Sequence, residues 1–269
     1  MAIVAVPKII DELYSRIPDN KRISYGRVHT IKVLSKFIYE GLAAKKAPVL
    51  EISAYLFDNA MEFKGKSVAL GMISYCGIEA FEKVLPYFES AATHQDWDVR
   101  EMSQMFFRKL IKAHPSESKK FLLRMACSKD PNARRFVGET LRPVQENQWF
   151  YKDPEYSLEV LRLMFKERSA YPRTAVGNNL SDLARRCPEL VYALVEELVA
   201  SGDKNSYWIA YRACRNLVKM EPEMVMGLLK VKEYKYKDRE YTLSDENNHD
   251  RSAVIKKFAI TQKSRRSAK

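Results

Sequence analysis

Glycine is scarce in this sequence, and tight turns between β-strands depend on it. The chain of 269 residues holds 9 glycines, and its 11 prolines fall mostly between apolar runs. Sandwiches and barrels join many short strands through turns in which glycine supplies the required backbone angles. The composition therefore disfavours an all-β fold and favours helices.

Closely spaced cysteines and histidines are also missing, which argues against a zinc site. The four cysteines form no Cys-x-x-Cys pair, and the four histidines show no ligand spacing. Each cysteine lies within an apolar stretch, so we expect buried free thiols in a reducing compartment at Cys76, Cys127, Cys187 and Cys214. We expect no metal and no cofactor.

Long apolar runs are absent as well. No stretch approaches the roughly 20 apolar residues that span a bilayer. The N-terminal apolar run over 2–6 is too short for a secretory core, and no small-residue cleavage site follows it. We therefore expect a cytoplasmic protein with no membrane partner.

Positive charge is in excess and is unevenly distributed. The net charge is +12, from 46 Lys and Arg against 34 Asp and Glu. Residues 230–269 hold 12 of the basic and 6 of the acidic residues, which is half of the excess. Such a segment helps a protein reach a polyanion or only aids solubility, and the rest of the excess is compatible with a solvated surface. The pattern predicts a repeat domain over 1–231 and a basic, flexible tail over 232–269.

Internal similarity is the stronger signal in the chain. Aligning four segments gives periods of 34, 39 and 37 residues, on the column Arg100, Arg134, Arg173 and Ala210. Seven positions later the column is large and apolar: Phe107, Leu141, Leu180 and Leu217. Three positions later it is small or β-branched: Ser103, Val137, Val176 and Ala213. This spacing suits stacked helices, so we predict an all-α fold, an α-α superhelix or curved solenoid of HEAT-like helical repeats.

Polar residues gather at equivalent places in three successive repeats. The first group runs from Asp96 to Glu101, the second is the Arg-Arg-x-x-x-Glu-x-x-Arg-Pro run of 134–143, and the third is the Val-x-Asn-Asn-Leu-x-Asp run of 176–182. Because their positions repeat, we expect them to line one groove with guanidinium groups, carboxylates and indole rings.

From about Trp97 to Pro222, these two runs make the chain resemble the AlkC/AlkD superfamily of HEAT-like repeat alkylpurine DNA glycosylases. The resemblance implies a basic concave groove that binds alkylated duplex DNA and releases alkylpurines. It implies catalytic roles for Glu101, Glu139 and Asp182. It also implies DNA contacts by Trp97, Arg100, Arg134, Arg135, Arg142, Trp149 and Arg173. We expect a monomer that associates with the nucleoid when it is bound to DNA.

Three positions depart from the family pattern. Glu101 stands where AlkD-type sites have an Asp, and Gln104 falls where AlkC-type proteins tend to have a Glu. Trp149 lies two residues farther from the Arg-Pro pair than in AlkC-type sequences. The amide of Gln104 cannot offset positive charge, which a glycosylase site must do.

The implied chemistry is compatible with so few residues. Breaking an N-glycosidic bond develops positive charge on the sugar, and a nearby carboxylate stabilises that charge. A purine alkylated at N3 or N7 is already cationic and leaves without a general acid. Indole faces attract such cations by about 0.5–2 kcal/mol.

Three functions stay open from the sequence alone. The first is a glycosylase for cationic alkylpurines such as 3-methyladenine and 7-methylguanine. The second is a non-catalytic relative that binds damaged or branched DNA, which Gln104 and the shifted Trp149 favour. The third is a protein–protein scaffold, since fold does not decide function. The site residues also have structural alternatives, as salt-bridge partners, buried rings or, for Asn178 and Asn179, bonds to a neighbouring turn.

Overall fold

The computed structural model describes residues 5–19, 26–236 and 239–242, and most of these residues are helical. The α-helices in these ranges are α1 (Ala5–Ser15), α2 (Gly26–Ala44), α3 (Val49–Asn59), α4 (Phe63–Cys76), α5 (Phe81–Ala92), α6 (Trp97–Ala113), α7 (Pro115–Ala126), α8 (Pro131–Thr140), α9 (Glu155–Leu161), α10 (Ala170–Leu183), α11 (Pro188–Ala200), α12 (Lys204–Ala213) and α13 (Pro222–Leu229). Short 3₁₀ segments cover Gln145–Tyr151, Arg162–Met164 and Leu217–Lys219, and two strands follow, β1 (Glu233–Tyr236) and β2 (Arg239–Thr242).

The chain divides into two compact units, residues 1–140 and 141–269. In the N-terminal unit, α2, α4, α6 and α8 pack side by side as one layer, and α3, α5 and α7 pack against that layer. In the C-terminal unit, α10 packs against α12, and α11 packs against both α12 and α13. The predicted all-α fold of helical repeats is therefore confirmed.

The repeat columns are the buried contacts between these helices. All four large residues, Phe107, Leu141, Leu180 and Leu217, have no exposed surface. The four small residues three positions after the aligned arginines, Ser103, Val137, Val176 and Ala213, are equally buried. In α6 and α10 the large and the small side chain, four residues apart, share one helix face, whereas Leu141 and Leu217 lie just beyond the ends of α8 and α12.

Helix starts follow from local chemistry. The Asp96 carboxylate accepts a hydrogen bond from the Asp98 N–H at 2.8 Å, and Asp203 accepts from the N–H groups of Asn205 and Ser206, both at 2.9 Å. These caps satisfy donors that have no partner within a helix. They fix where α6 and α12 begin, and Trp97 is the first residue of α6.

The predicted tail begins with ordered structure. β1 and β2 pair antiparallel, with Glu233 opposite Thr242. Tyr234 is fully buried; its ring stacks on Tyr211 at 4.4 Å between centroids, and its hydroxyl donates to the Tyr211 carbonyl at 2.8 Å. Residues 233–236 are thus attached to α12. Residues 243–269 lie outside the described residues, and the flexibility predicted for them stays a prediction.

The expectation of four buried thiols is met by Cys214 but is wrong for the half-buried Cys76 and Cys187 and for Cys127, which is exposed. This residue follows the last turn of α7, where the side chain leaves the buried face of the helix. Burial raises the pKa of Cys214 to about 12, and the half-buried Cys76 has its pKa raised to about 11, also mainly by burial. Neither thiol is therefore a thiolate at neutral pH.

Two further features concern the described residues alone. None of their helices combines the length and the apolar character needed to cross a bilayer. Within the same ranges, no three His, Cys, Asp or Glu residues are grouped so that they could hold a metal ion.

Candidate functional site

In the N-terminal unit, α6 and α8 bring together four of the residues singled out from the sequence. Arg135 donates through Nη2 to Oε1 of Glu101 at 3.2 Å, and its Nη1 lies 3.3 Å from Oε1 of Glu139. Gln104 donates through Nε2 to the other Glu101 oxygen, Oε2. The result is a network of two carboxylates, one guanidinium and one amide, called here the Glu101 cluster.

The members of the Glu101 cluster differ in exposure. The side chain of Glu101 is 26% exposed, whereas that of Glu139 is 5% exposed. Burial raises the pKa of Glu101, and the charge of Glu139 raises it further, while Arg135 and Arg108 act in the opposite direction. Glu101 is therefore the carboxylate of this cluster that an external molecule can reach.

Trp97 lies beside this cluster in sequence and is 52% exposed. It stands one helical turn before Glu101, so the two side chains share a face of α6. A structural role as a buried ring is thereby excluded for Trp97.

The loop before Trp97 is held by its own side chains. The His94 ring accepts through Nδ1 from the Asp96 N–H at 3.0 Å, and Arg100 donates to the carbonyls of His94 and Gln95 at 2.5 and 2.8 Å. The bond to Nδ1 requires a neutral ring nitrogen. Burial lowers the pKa of His94, with Lys66 as the next cause, which favours that neutral form.

Arg134 repeats the role of Arg100 one repeat later. Its Nη1 donates to the carbonyls of Ser128 and Lys129, at 2.8 and 3.0 Å, in the loop that precedes α8. Both arginines reach five and six residues back along the chain. Two arginines of the repeated column thus fasten the loops that precede α6 and α8, a role that the sequence-based assignment to DNA phosphates did not include.

Arg108 is a member of the site that the sequence analysis did not single out. It is 5% exposed, and its guanidinium donates to the carbonyls of Glu139 at 2.8 Å and Thr140 at 3.4 Å. A cation at these carbonyls stabilises the C-terminus of α8. A signal was present, because Arg108 precedes Arg142 by 34 residues in the same repeat register as Arg100 and Arg134.

In the C-terminal unit, Asp182 is fully buried beneath three arginines. Arg142 donates to Oδ2 through Nε at 2.7 Å and through Nη2 at 2.5 Å. Nη2 of Arg185 lies 3.1 Å from Oδ1, and that of Arg215 lies 3.6 Å from the same atom. The three side chains are 26%, 32% and 13% exposed, respectively, while Asp182 is 0% exposed. This group is called here the Asp182 cluster.

Two other residues of the 176–182 run also accept hydrogen bonds from arginines. The Asn178 side-chain oxygen accepts from Nε of Arg212 at 2.9 Å and from Nη1 of Arg215 at 2.8 Å. Ser181 accepts from Nε of Arg215 at 2.8 Å. The partners of Asn178 are therefore Arg212, near the end of α12, and Arg215, which follows that helix.

Gly177 permits this close approach of α12 to α10. A Cβ at position 177 would lie 2.8 Å from Cβ of Arg212, well inside contact distance. The run is thus a surface of α10 on which arginines from other parts of the unit are held. Arg185, Arg212 and Arg215 were not singled out from the sequence. Arg185 lies three residues from its partner, whereas Arg212 and Arg215 lie 34 and 37 residues from Asn178 along the chain.

Trp149 and Arg173 lie in other surroundings within the same unit. The half-buried Trp149 ring contacts Phe150 and Tyr156 at 4.4 and 4.9 Å between centroids, as part of an aromatic group. Arg173 donates to the Asn205 side chain, and its guanidinium lies 4.7 Å from the Trp208 ring. The structure therefore groups Trp97, Glu101, Arg135 and Glu139 in one unit and Arg142 with Asp182 in the other.

Comparison with known proteins gives one relative by sequence. YhaZ of Bacillus subtilis (strain 168), described as uncharacterized, is 25% identical over 201 residues. The match covers 71% of this chain and 52% of YhaZ, so the chain spans about half the length of that relative. No protein-family model matches the chain.

Solved structures give more extensive matches. AlkD2 from Streptococcus mutans has a TM-score of 0.59 at 16% identity, over 78% of this chain and 98% of AlkD2. AlkC from Pseudomonas fluorescens, an alkylpurine DNA glycosylase solved bound to DNA containing an abasic site analog, has a TM-score of 0.62 at 16% identity, over 86% of this chain and 67% of AlkC. A third structure, smu.31 from Streptococcus mutans UA159, has a TM-score of 0.53 at 15% identity, over 69% and 98% of the two chains. The chain therefore has the same helical-repeat fold as these three proteins.

Proposed function

We propose that this protein binds alkylated duplex DNA and hydrolyses the N-glycosidic bond of cationic alkylpurines such as 3-methyladenine and 7-methylguanine. One observation carries the proposal: a reachable carboxylate, Glu101, stands one helical turn from the exposed indole of Trp97. These are the two groups that a cationic leaving base requires.

The Asp182 cluster supports binding to a polyanion. Three guanidinium groups surround one carboxylate, so the cluster has an excess of two positive charges. The side chains of Arg142 and Arg185 are 26% and 32% exposed, and guanidinium groups are well suited to phosphate oxygens. The fold shared with AlkC, which was solved on DNA, adds support for DNA as the polyanion.

The proposed reaction needs few groups. The bond between C1′ of the sugar and the purine nitrogen breaks, and its electron pair leaves with the base, which becomes neutral. Water adds to C1′ and loses a proton, so the products are the free alkylpurine and an abasic sugar. The Glu101 carboxylate stabilises the positive charge that develops on the sugar and orients the water. Trp97 stacks on the cationic base.

Glu139 and Asp182 act differently in this proposal. Asp182 has no exposed surface, and Glu139 is 5% exposed. Their carboxylates contact arginines of the protein, so they act as positioning residues for Arg135, Arg142, Arg185 and Arg215. The catalytic role that the resemblance implies is kept for Glu101 alone.

A second candidate function is DNA binding without catalysis. The observation that favours it is Gln104, an amide in the Glu101 cluster where a carboxylate would add negative charge. Trp149 also favours DNA binding without catalysis, because its ring is packed against Phe150 and Tyr156.

The deciding experiment measures free base released from duplex DNA that contains N7-methylguanine, with wild-type protein and Glu101→Gln. We expect release by the wild type and a loss of at least about 100-fold in the variant, the magnitude typical of removing one electrostatic contact to a transition state. Glu117→Gln, which removes an exposed carboxylate on α7, is the matched control and should release base at the wild-type rate.

Binding is measured in parallel on the same DNA. Affinity should fall steeply as salt rises, with a log–log slope of about −0.9 for each phosphate neutralised. Salt-sensitive binding without any base release would make the second function correct. Absence of binding at low salt would refute both.

A further inference from the structure

Gln104 is buried at the centre of the Glu101 cluster. It is 3% exposed, lies on α6 one helical turn after Glu101, and donates its side-chain N–H to Oε2 of that residue. The other oxygen, Oε1, accepts from Arg135 on α8. Each oxygen of the reachable carboxylate therefore has one fixed donor.

We propose that Gln104 is a positioning residue whose amide holds the Glu101 carboxylate on the exposed side of the cluster. Arg135 alone would not do this, because its guanidinium is shared with Glu139. A second donor on the same helix fixes the rotation of the carboxylate, since a carboxylate held at both oxygens has one orientation.

The chemical identity of Gln104 also matters for charge. The groups that act on Glu101 are Glu139 and Arg135 on α8 and Arg108 on its own helix. A carboxylate at position 104 would make three anions for the two arginines, and neighbouring anions favour the protonated form of each other. An amide donates a hydrogen bond to the ionised form without adding a charge. Glutamine at position 104 therefore adds no further charge that would raise the pKa of Glu101, which burial and Glu139 already raise.

The consequence for base release rests on the proposed function, whereas the effect on Glu101 does not. The first measurement therefore needs no DNA. The Glu101 carboxyl is followed by carbon-13 NMR through a pH titration and is assigned by its absence in Glu101→Gln. The proteins compared are the wild type, Gln104→Met, which keeps the side-chain length without a donor, and Gln104→Glu.

We expect Gln104→Met to raise the pKa of Glu101 by about half a unit to one unit, because a hydrogen bond to the charged form is lost. Gln104→Glu should raise it by more than one unit, because the two carboxyls would share a proton. Gln95→Met makes the same chemical change at an exposed position and should leave the titration unchanged. An unchanged Glu101 titration in both Gln104 variants would overturn the proposal.

Each variant is then checked for correct folding before its effect on base release is measured. Circular dichroism and thermal unfolding check each variant; if Gln104→Met does not fold, Gln104→Asn, which withdraws the amide by one methylene, replaces it. With alkylated DNA, the acid limb of the rate profile should move to higher pH together with the pKa of Glu101. A shifted titration in a protein that never releases base would refute the glycosylase and leave the positioning role intact. A shifted titration with an unmoved rate profile would remove Glu101 from the reaction.

Discussion

Replacing Asp182 by asparagine tests whether this buried carboxylate organises the arginines around it. The change preserves the shape of the side chain and removes its charge. Three guanidinium groups that converge on Asp182 would then face one neutral amide, whose single side-chain oxygen accepts where two carboxylate oxygens did. The cluster would lose its only anion.

The magnitude follows from burial. Removing one partner of a buried ion pair destabilises a protein by about 3–5 kcal/mol, because the remaining charge is left without compensation. Here the arginine side chains are 26%, 32% and 13% exposed, so water compensates part of the loss. We therefore expect the free energy of unfolding to fall by about 2–3 kcal/mol, below the full range for buried pairs.

The assay is urea unfolding followed by circular dichroism, with Glu196→Gln as the matched control. Glu196 is exposed on α11, and its replacement should change the unfolding free energy by less than about 0.5 kcal/mol. A loss below about 0.5 kcal/mol for Asp182→Asn would refute the argument, because the carboxylate would then contribute no more than a surface charge.

DNA binding gives a second readout whose sign separates two explanations. Both variants gain one positive charge, and long-range attraction alone predicts tighter binding to DNA for each of them. If Asp182 holds Arg142 and Arg185 in place for phosphates, Asp182→Asn should bind about tenfold more weakly, which corresponds to the loss of about 1.4 kcal/mol of oriented contact. Tighter binding by Asp182→Asn would show that orientation is unimportant.

Two further predictions concern packing. The Phe107 ring contacts four other aromatic rings at 5.1–6.4 Å between centroids. Phe107→Ala should therefore lower the free energy of unfolding by about 3–5 kcal/mol, and Phe107→Leu should lower it by distinctly less. Thermal or urea unfolding measures both effects. Equal effects of the two changes would contradict a packed ring cluster. Gly177→Ala should lower the free energy of unfolding by about 1–3 kcal/mol, because the new Cβ would lie 2.8 Å from Arg212. Gly227→Ala, which has open space around the new Cβ, should raise it by up to about 1 kcal/mol. A stabilising Gly177→Ala would mean that α12 can move away at little cost.

The repeat architecture could be derived from the sequence, because helical periodicity is a local property. Residues four apart share a helix face whatever the helix packs against, so the columns through Phe107 and Ser103 predicted the buried surface correctly. The motif runs also predicted which segments carry polar clusters. The antiparallel strands at 233–242 had no comparable signal, since one buried tyrosine among charged residues resembles an exposed segment.

The roles within the clusters depended on the tertiary structure. Glu101, Glu139 and Asp182 are carboxylates of similar chemistry, and the sequence treats them alike. Packing of α8 on α6 leaves Glu101 reachable and covers Glu139. Packing within the C-terminal unit brings Arg142 and Arg215 onto Asp182 from 40 residues before it and 33 residues after it.

Arg100, Arg134 and Arg173 illustrate the same division. They share one column of the repeat, yet the first two fasten loops five and six residues away and the third donates to Asn205. The sequence by itself determined the helices, their repeat and the buried columns, since these follow from the order of apolar residues along each helix. Which carboxylate meets solvent and which arginine meets a carboxylate depends on distances between helices, and only the packed structure decided those.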